Sequence, residues 1–191
     1  MHNENEEDLG NPWRRLSRRV AYENPWIRVD EDQVIRPDGK AGIYGVVHFK
    51  NRAVGVVPLD EQDRVLLVGQ YRYTLDQYSW EIPEGGGPLD EDPLSGAQRE
   101  LMEETGYTAA KWQELGRAHL SNSVSDEHAI YFLAEELIPG TPRPEGTERL
   151  SLRWVTFPEV LAMVERGEIT DALSIIAIQR VALLREKSPR T

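Results

Sequence analysis

The sequence predicts an α/β fold with a mixed sheet between helical layers, preceded by an N-terminal antiparallel strand pair. Three observations predict it. Residues 26 to 73 carry Val- and Ile-rich runs punctuated by turn signals. Residues 93 to 105 carry both a start and a stop signal for a helix. After three further strand-like runs, the chain ends in two segments with apolar residues at helical spacing. Strands, one helix, more strands and two helices is an order that covers a sheet on both faces.

In chain order, residues 1 to 12 are polar and acidic without periodicity and are expected to be a disordered tail. Arg14, Arg15, Arg18 and Arg19 follow on a stretch that reads as either helical or extended, with the charges on a solvated face. Residues 26 to 36, WIRVDEDQVIR, then a turn at Pro37 to Lys40, then residues 43 to 49, IYGVVHF, read as a hairpin. A second hairpin is expected from AVGVVPL at residues 53 to 59 and RVLLVGQYRY at 64 to 73, joined by DEQD. Val65 to Val68 reads as a strand buried on both faces. The expected divisions are the acidic tail at 1 to 12, an N-terminal strand region at 13 to 50 and the main domain at 51 to 191.

Gly85 to Gly87 reads as a glycine loop that lets the backbone approach a ligand closely. The helix after it runs from Pro93 to Thr105. Asp92 can cap its first turn, Pro93 loses nothing by lacking an N–H at the first position, and Gly106 suits a left-handed end. Leu94, Ala97 and Leu101 recur at helical spacing and face the core. Glu100, Glu103 and Glu104 share a different face. Like charges three and four apart repel by about 0.2–0.5 kcal/mol per pair, so stability alone does not select them. An acidic solvated face or a hard divalent cation are the two readings the triplet leaves open.

Beyond the helix, strands are expected near Trp112 to Leu120 and Ile130 to Ala134, and a loop from Pro139 to Thr147. SLRWVTF, residues 151 to 157, is the last strand. Pro158 opens a short helix to Arg166, and Asp171 to Arg185 forms a terminal helix with Leu173, Ile176, Ala177 and Val181 on its apolar side.

At 191 residues the chain can bury a core without staples, and it has no cysteine for disulfides or thiolate sites. A net charge of -11 argues against a nucleic-acid partner. No apolar run approaches the roughly 20 residues that span a bilayer, and the N-terminus is acidic, so a cytoplasmic enzyme with no membrane partner is expected. A polyanionic small molecule suits so acidic a chain only where a local cation or metal offsets the charge.

Taken whole, Glu81 to Tyr107 reads EIPEGGGPLDEDPLSGAQRELMEETGY. Its fixed positions are Gly85, Glu91, Arg99, Glu100, Leu101, Glu103, Glu104 and Gly106, and it resembles the Nudix box at each of them. Tyr107 stands where an aliphatic residue is more usual. Eight specified positions at fixed spacing leave little room for chance. GQYRY with Arg72, the WEIPEG approach, the segment from Ser121 to Glu127 and GEITDALSIIAIQ are similar to the ADP-ribose and nucleoside-diphosphate-sugar pyrophosphatase branch.

The resemblance implies a Nudix-type α/β/α sandwich and hydrolysis of the pyrophosphate bond of ADP-ribose or another nucleoside diphosphate sugar, giving a nucleoside monophosphate and a sugar phosphate. It implies Mg2+, or Mn2+, held by Glu100, Glu103, Glu104 and the backbone carbonyl of Glu84, with Glu91 and Arg99 steadying those ligands. It offers Glu145 or Glu148 as the general base, and Arg72, Trp26, Trp80, Gly85 and Glu127 as substrate contacts. A homodimer built through the N-terminal strands is implied as well. Asn122 follows Ser121 where ADP-ribose-specific members carry proline, which leaves the sugar open. Two alternatives stand: action on dinucleoside polyphosphates or another diphosphate, and a non-catalytic nucleotide-binding module.

Overall fold

A computed structural model describes residues 10–142 and 149–187 of the chain. It divides into two compact units, one comprising residues up to Lys50 with Ser121–Asp126, the other Asn51–Leu120 with the residues from Glu127 onward.

The first unit is an antiparallel sheet of β1 (Arg14–Glu23), β2 (Ile27–Ile35) and β3 (Ala41–Phe49), in that order. The hairpin expected from residues 26 to 49 is β2 and β3. The expected strand pair gains a third member, because the arginine-rich stretch is extended. The ladder explains why: Arg18 stands opposite Asp32 and Arg19 opposite Glu31. Arg18 Nε lies 2.7 Å from Asp32 Oδ1, and Arg19 Nη2 lies 2.7 Å from Glu31 Oε2. Opposite charges facing each other across strands favour this pairing, whereas a helix would place like charges side by side. The segment 121–126 is tied to β3 by His48 Nδ1, 2.6 Å from Asp126 Oδ2, and by Tyr44, whose hydroxyl donates to the Ser123 carbonyl at 2.7 Å.

The second unit contains two sheets. β4 (Asn51–Pro58), β7 (Glu84–Pro88), β8 (Tyr107–His119) and β9 (His128–Pro139) form one, in the order β7-β4-β9-β8, with β4 and β9 parallel. β5 (Arg64–Arg72), β6 (Gln77–Glu81) and β10 (Ser151–Thr156) form the other, antiparallel and ordered β10-β5-β6. The second hairpin is therefore corrected: β4 and β5 belong to different sheets, and the backbone bridge between the two segments is that of Leu59 with Val65. Both strands are apolar at consecutive positions, so each is most stable inside a sheet with a partner on either side. The Asp60 carboxylate, accepting from the N–H of Gln62 and Arg64, turns the chain from one sheet to the other.

Helix α1 (Pro93–Thr105) covers one face of the mixed sheet, with Ala97 and Leu101 packed against Val54, Val56, Ile130 and Phe132. Helix α3 (Ala172–Lys187) packs on the other, and α2 (Phe157–Glu165) packs beside it on β5 and β10. There Val160, Met163, Leu173, Ala177, Ile178 and Val181 join Val57, Leu67 and Tyr131 in the larger core. This is the α/β/α sandwich. Val65 to Val68 are each at most 1% exposed, as a strand buried on both faces requires.

Candidate active site

The start and stop of α1 follow the sequence signals. Asp92 Oδ2 accepts from Ser95 N at 2.9 Å, and Gly106 ends the helix at φ 76°. The glycine loop, by contrast, is a strand. Gly85, Gly86 and Gly87 pair with Val54, Ala53 and Arg52 of β4, so the expectation of an open loop is corrected. Close approach is still what the glycines serve. A Cβ on Gly85 would meet the Glu100 carboxylate at 2.2 to 2.4 Å, and one on Gly87 would meet Glu91 Oε2 at 2.4 Å.

The helix therefore lays its carboxylates directly on β7. Glu100 is 8% exposed and Glu104 3% exposed, while Glu103 is half-buried. Buried carboxylates are costly unless paired. Glu104 Oε2 accepts from Glu84 N at 3.1 Å. Arg99 Nη1 donates to Glu100 Oε1 at 2.7 Å and to Glu103 Oε2 at 3.0 Å, and its Nη2 reaches Glu91 Oε2 at 3.3 Å and Gly86 O at 3.2 Å. Burial works against the Arg99 charge, but Glu91, Glu100 and Glu103 outweigh it and hold its proton more firmly than usual.

A second charged group adjoins the first through Glu84. Arg72 forks onto Glu81, with Nε 2.9 Å from Oε1, and its Nη2 lies 2.8 Å from Glu84 Oε1. Arg72 is thus ion-paired to two acids, Glu81 and Glu84. Burial, the nearby Asp171 and Glu81 push the Glu84 carboxyl well above its usual range, against the pull of Arg72. Burial and Asp171 raise Glu127 as well. Glu81 and Asp171 were not singled out from the sequence. An acid inside the β-periodic run QYSWE and a helix-capping Asp before an apolar helix were the available signals.

Glu84, Gly85, Glu91, Arg99, Glu100, Glu103 and Glu104 are brought together in this unit, with Arg72 joined through Glu84. Trp80 is half-buried, edge to face with Tyr78, and its ring lies beneath the Arg153 guanidinium at 5.7 Å. Trp26 lies in the first unit and is 66% exposed. Glu145 and Glu148, the two candidates for the base, lie outside the described residues. Tyr107, the departure from the usual aliphatic, packs edge to face on Trp154 at 5.7 Å and so keeps an apolar role.

All these donors are oxygens, which suits a hard divalent cation. Among the described residues no three acidic or His side chains stand at metal-coordinating spacing. Arg99 accounts for this by drawing Glu100 and Glu103 to its own Nη1, and the Glu84 N–H by drawing Glu104. Glu100 already lies against Gly85 and Glu104 against the Glu84 amide, so the oxygen donor set fits such an ion.

The NUDIX domain model matches residues 49–173, and the nucleoside diphosphate sugar hydrolase N-terminal domain model matches residues 13–47. An ADP-ribose pyrophosphatase of Bacillus subtilis is 35% identical over 170 residues, covering 88% of this chain and 91% of its own. An ADP-ribose pyrophosphatase of Mycobacterium tuberculosis is also 35% identical, over 172 residues, 87% of this chain and 81% of its own. The crystal structure of an ADP compounds hydrolase superposes with a TM-score of 0.84 over 94% of this chain and 97% of its own, at 19% identity, which shows a shared fold. The chain belongs to the Nudix family, and it is an enzyme of the Nudix hydrolase class. Among the described residues no helix is long and apolar enough to cross a membrane.

Proposed function

We propose that this chain hydrolyses the pyrophosphate bond of ADP-ribose or another nucleoside diphosphate sugar, releasing a nucleoside monophosphate and a sugar phosphate. The observation that carries the reading is the pair of buried carboxylates, Glu100 and Glu104, pressed onto the Glu84–Gly87 strand with Glu103 beside them. The names of the relatives and the matched N-terminal domain support the substrate class.

Glu100, Glu103, Glu104 and the Glu84 carbonyl would hold Mg2+ or Mn2+. When bound, such an ion offsets the diphosphate charge and lowers the pKa of a coordinated water. Arg99 supplies a positive counter-charge to the same carboxylates and fixes their rotamers through Glu91 and Gly86 O. Arg72 holds Glu81 and Glu84 in place from β5. Water adds to one phosphorus, the P–O–P bridge breaks, and the bridging oxygen leaves with the other phosphate. Glu145 or Glu148 takes the water proton in this reading. Trp80 and Glu127 belong to the same unit and are the candidate substrate contacts there, and Trp26, in the first unit, is a separate candidate.

Product analysis across ADP-ribose, GDP-mannose, UDP-glucose, NADH and diadenosine polyphosphates tests the proposal. Turnover of ADP-ribose or a nucleotide sugar to two monophosphates with Mg2+, abolished by EDTA, is the expected result. Preference for a diadenosine compound would select the first alternative, and binding without turnover the nucleotide-sensing module. The protein is further proposed to be a cytoplasmic homodimer. Leu16, Val20, Tyr22 and Ile43, all more than half exposed on the N-terminal sheet, support that reading, and light scattering tests it.

A further inference from the structure

We infer that Ser174, in the first turn of α3, is a positioning residue for the Ile82–Glu84 bend that connects β6 to β7. The bend carries the backbone on which the reading above depends. Its three residues are held by three different elements. Ile82 N donates to Ser174 Oγ at 3.0 Å, the Pro83 carbonyl accepts from Val56 N of β4 at 2.9 Å, and Glu84 N donates to Glu104 Oε2 of α1 at 3.1 Å. The contact with α3 is therefore one of three anchors, and it alone comes from the far helical layer.

Ser174 is itself fixed in place. Its N–H donates to Asp171 Oδ2 at 2.7 Å, which caps the helix. Its neighbour Leu173 sits over Gly55, where a Cβ would lie 2.9 Å from Leu173 Cδ2 and 3.1 Å from Ile82 Cδ1. The missing side chain lets the first turn of α3 and Ile82 pack on the same spot of β4. The hydroxyl therefore cannot wander from the Ile82 amide.

A serine here is a poor choice for packing alone. Ser174 is fully buried on a face otherwise built of Leu173, Ala177, Ile178 and Val181. An apolar side chain would bury more hydrocarbon there and avoid desolvating a hydroxyl. What it could not do is accept from Ile82 N, which is equally buried and would be left without an acceptor. The hydrogen bonds of Ser174 run to Ile82 and Asp171, so its effect passes through the bend. Displacing Glu84 by a fraction of an ångström loosens Glu104 on one side and the grip of Arg72 on the other.

The inference rests on the proposed role of Glu84 and Glu104 at the metal and diphosphate site. The test compares Ser174→Ala, Ser174→Cys and Val181→Ala with the parent protein, each measured for kcat and KM on ADP-ribose, Mn2+ affinity by electron paramagnetic resonance, and Tm. Ser174→Ala is expected to lower kcat about tenfold or more with KM within about twofold, and to weaken Mn2+ binding several-fold. Ser174→Cys, which fills the space with a weak acceptor, should fall between the two. Val181→Ala, a buried truncation on the same helix, should lose Tm while keeping kcat and Mn2+ affinity. A folded Ser174→Ala with the parent kcat and Mn2+ affinity overturns the inference, as does a Val181→Ala that reproduces the losses. If Ser174→Ala does not fold, Ser174→Cys is judged by the same criteria. Glu103→Gln is run alongside. If it is inactive while Ser174→Ala is fully active, only the positioning role falls; if it keeps full turnover, the metal reading falls and takes this inference with it.

Discussion

The Glu100 carboxylate occupies the space that a side chain on Gly85 would need: a Cβ there would stand 2.2 Å from its carboxyl carbon. A methyl group cannot share that space with the carboxylate, so the Glu100 side chain must move. Gly85→Ala should therefore expel Glu100 from the strand. A displacement of about 1 Å in a positioned group costs roughly 10²-fold in rate. The expected outcome is a loss of kcat of about that size, read with saturating Mg2+, and a Tm that changes little because Glu100 is freed toward solvent. Retained kcat would show that the contact between this strand and the helix carboxylate does not serve the chemistry.

Arg99 is the counter-charge of three glutamates, and this sets up a competition. Its guanidinium holds Glu91, Glu100 and Glu103 at 2.7 to 3.3 Å. Removing it takes away the positive charge beside Glu100 and Glu103, three residues apart, which is a repulsive arrangement on a helix. In EDTA, Arg99→Ala should lower stability by about 1–3 kcal/mol, within the range for breaking charged hydrogen bonds at a partly exposed site. A divalent cation takes over the same role. The rise in Tm on adding Mg2+ should therefore be larger for the variant than for the parent. Equal increments in the two proteins would mean that the ion and the guanidinium do not share these ligands.

Glu84 gives the protein a defined pH dependence. Burial, Asp171 and Glu81 raise its carboxyl above the ordinary value of 4.5. Below 4.5 both folded and unfolded chains hold this proton and the group contributes no difference. Above it, the unfolded chain ionises first, so the folded state loses relative stability until the pH passes the raised folded value. Glu84→Gln removes that penalty. In EDTA, its Tm advantage over the parent should be near zero at pH 4 and grow toward pH 8, as followed by circular dichroism melts. An advantage that is flat with pH, or that shrinks, would contradict the burial of an ionisable Glu84.

The helix was legible to the residue because every signal for it is local: Asp92 and Pro93 begin it, Gly106 ends it, and all three act within a turn of themselves. The box carboxylates were legible for the same reason, since their relation to one another is fixed by helical spacing. What stayed hidden depends on partners far along the chain. Apolar runs alone mark β4 and β5 as strands, but not as members of separate sheets, because pairing is decided by β7, β9, β6 and β10. The arginine-rich β1 could be fixed as a strand only by Glu31 and Asp32, more than ten residues away. Composition alone marks the glycine triplet as a loop; it is a strand because its backbone pairs with β4 while its bare face receives Glu100 and Glu91. Nothing local marks Glu81, because Arg72 stands opposite Gln77 in the ladder and only its side chain reaches along the strand to Glu81.

That Arg72 and Glu81 pair is also where a double-mutant cycle decides between two roles. Glu81 is 2% exposed and its carboxylate is forked by Arg72, which also reaches Glu84. Arg72→Ala strands a buried carboxylate, and breaking a buried pair from one side costs about 3–5 kcal/mol. The guanidinium is one-third exposed, so the lower end of that range, discounted for screening, is expected. Glu81→Gln should then rescue part of the stability of Arg72→Ala, since one of the two acids that lose the guanidinium is no longer charged. The coupling between the two sites should be about 1–3 kcal/mol, well beyond additivity. Activity separates the roles. If Arg72 serves only to neutralise Glu81 and Glu84, the double variant regains turnover together with stability. If the guanidinium also contacts the diphosphate, stability returns while KM stays raised. Urea melts and steady-state kinetics on the four proteins distinguish these outcomes, and a coupling indistinguishable from zero would mean the ion pair contributes to neither.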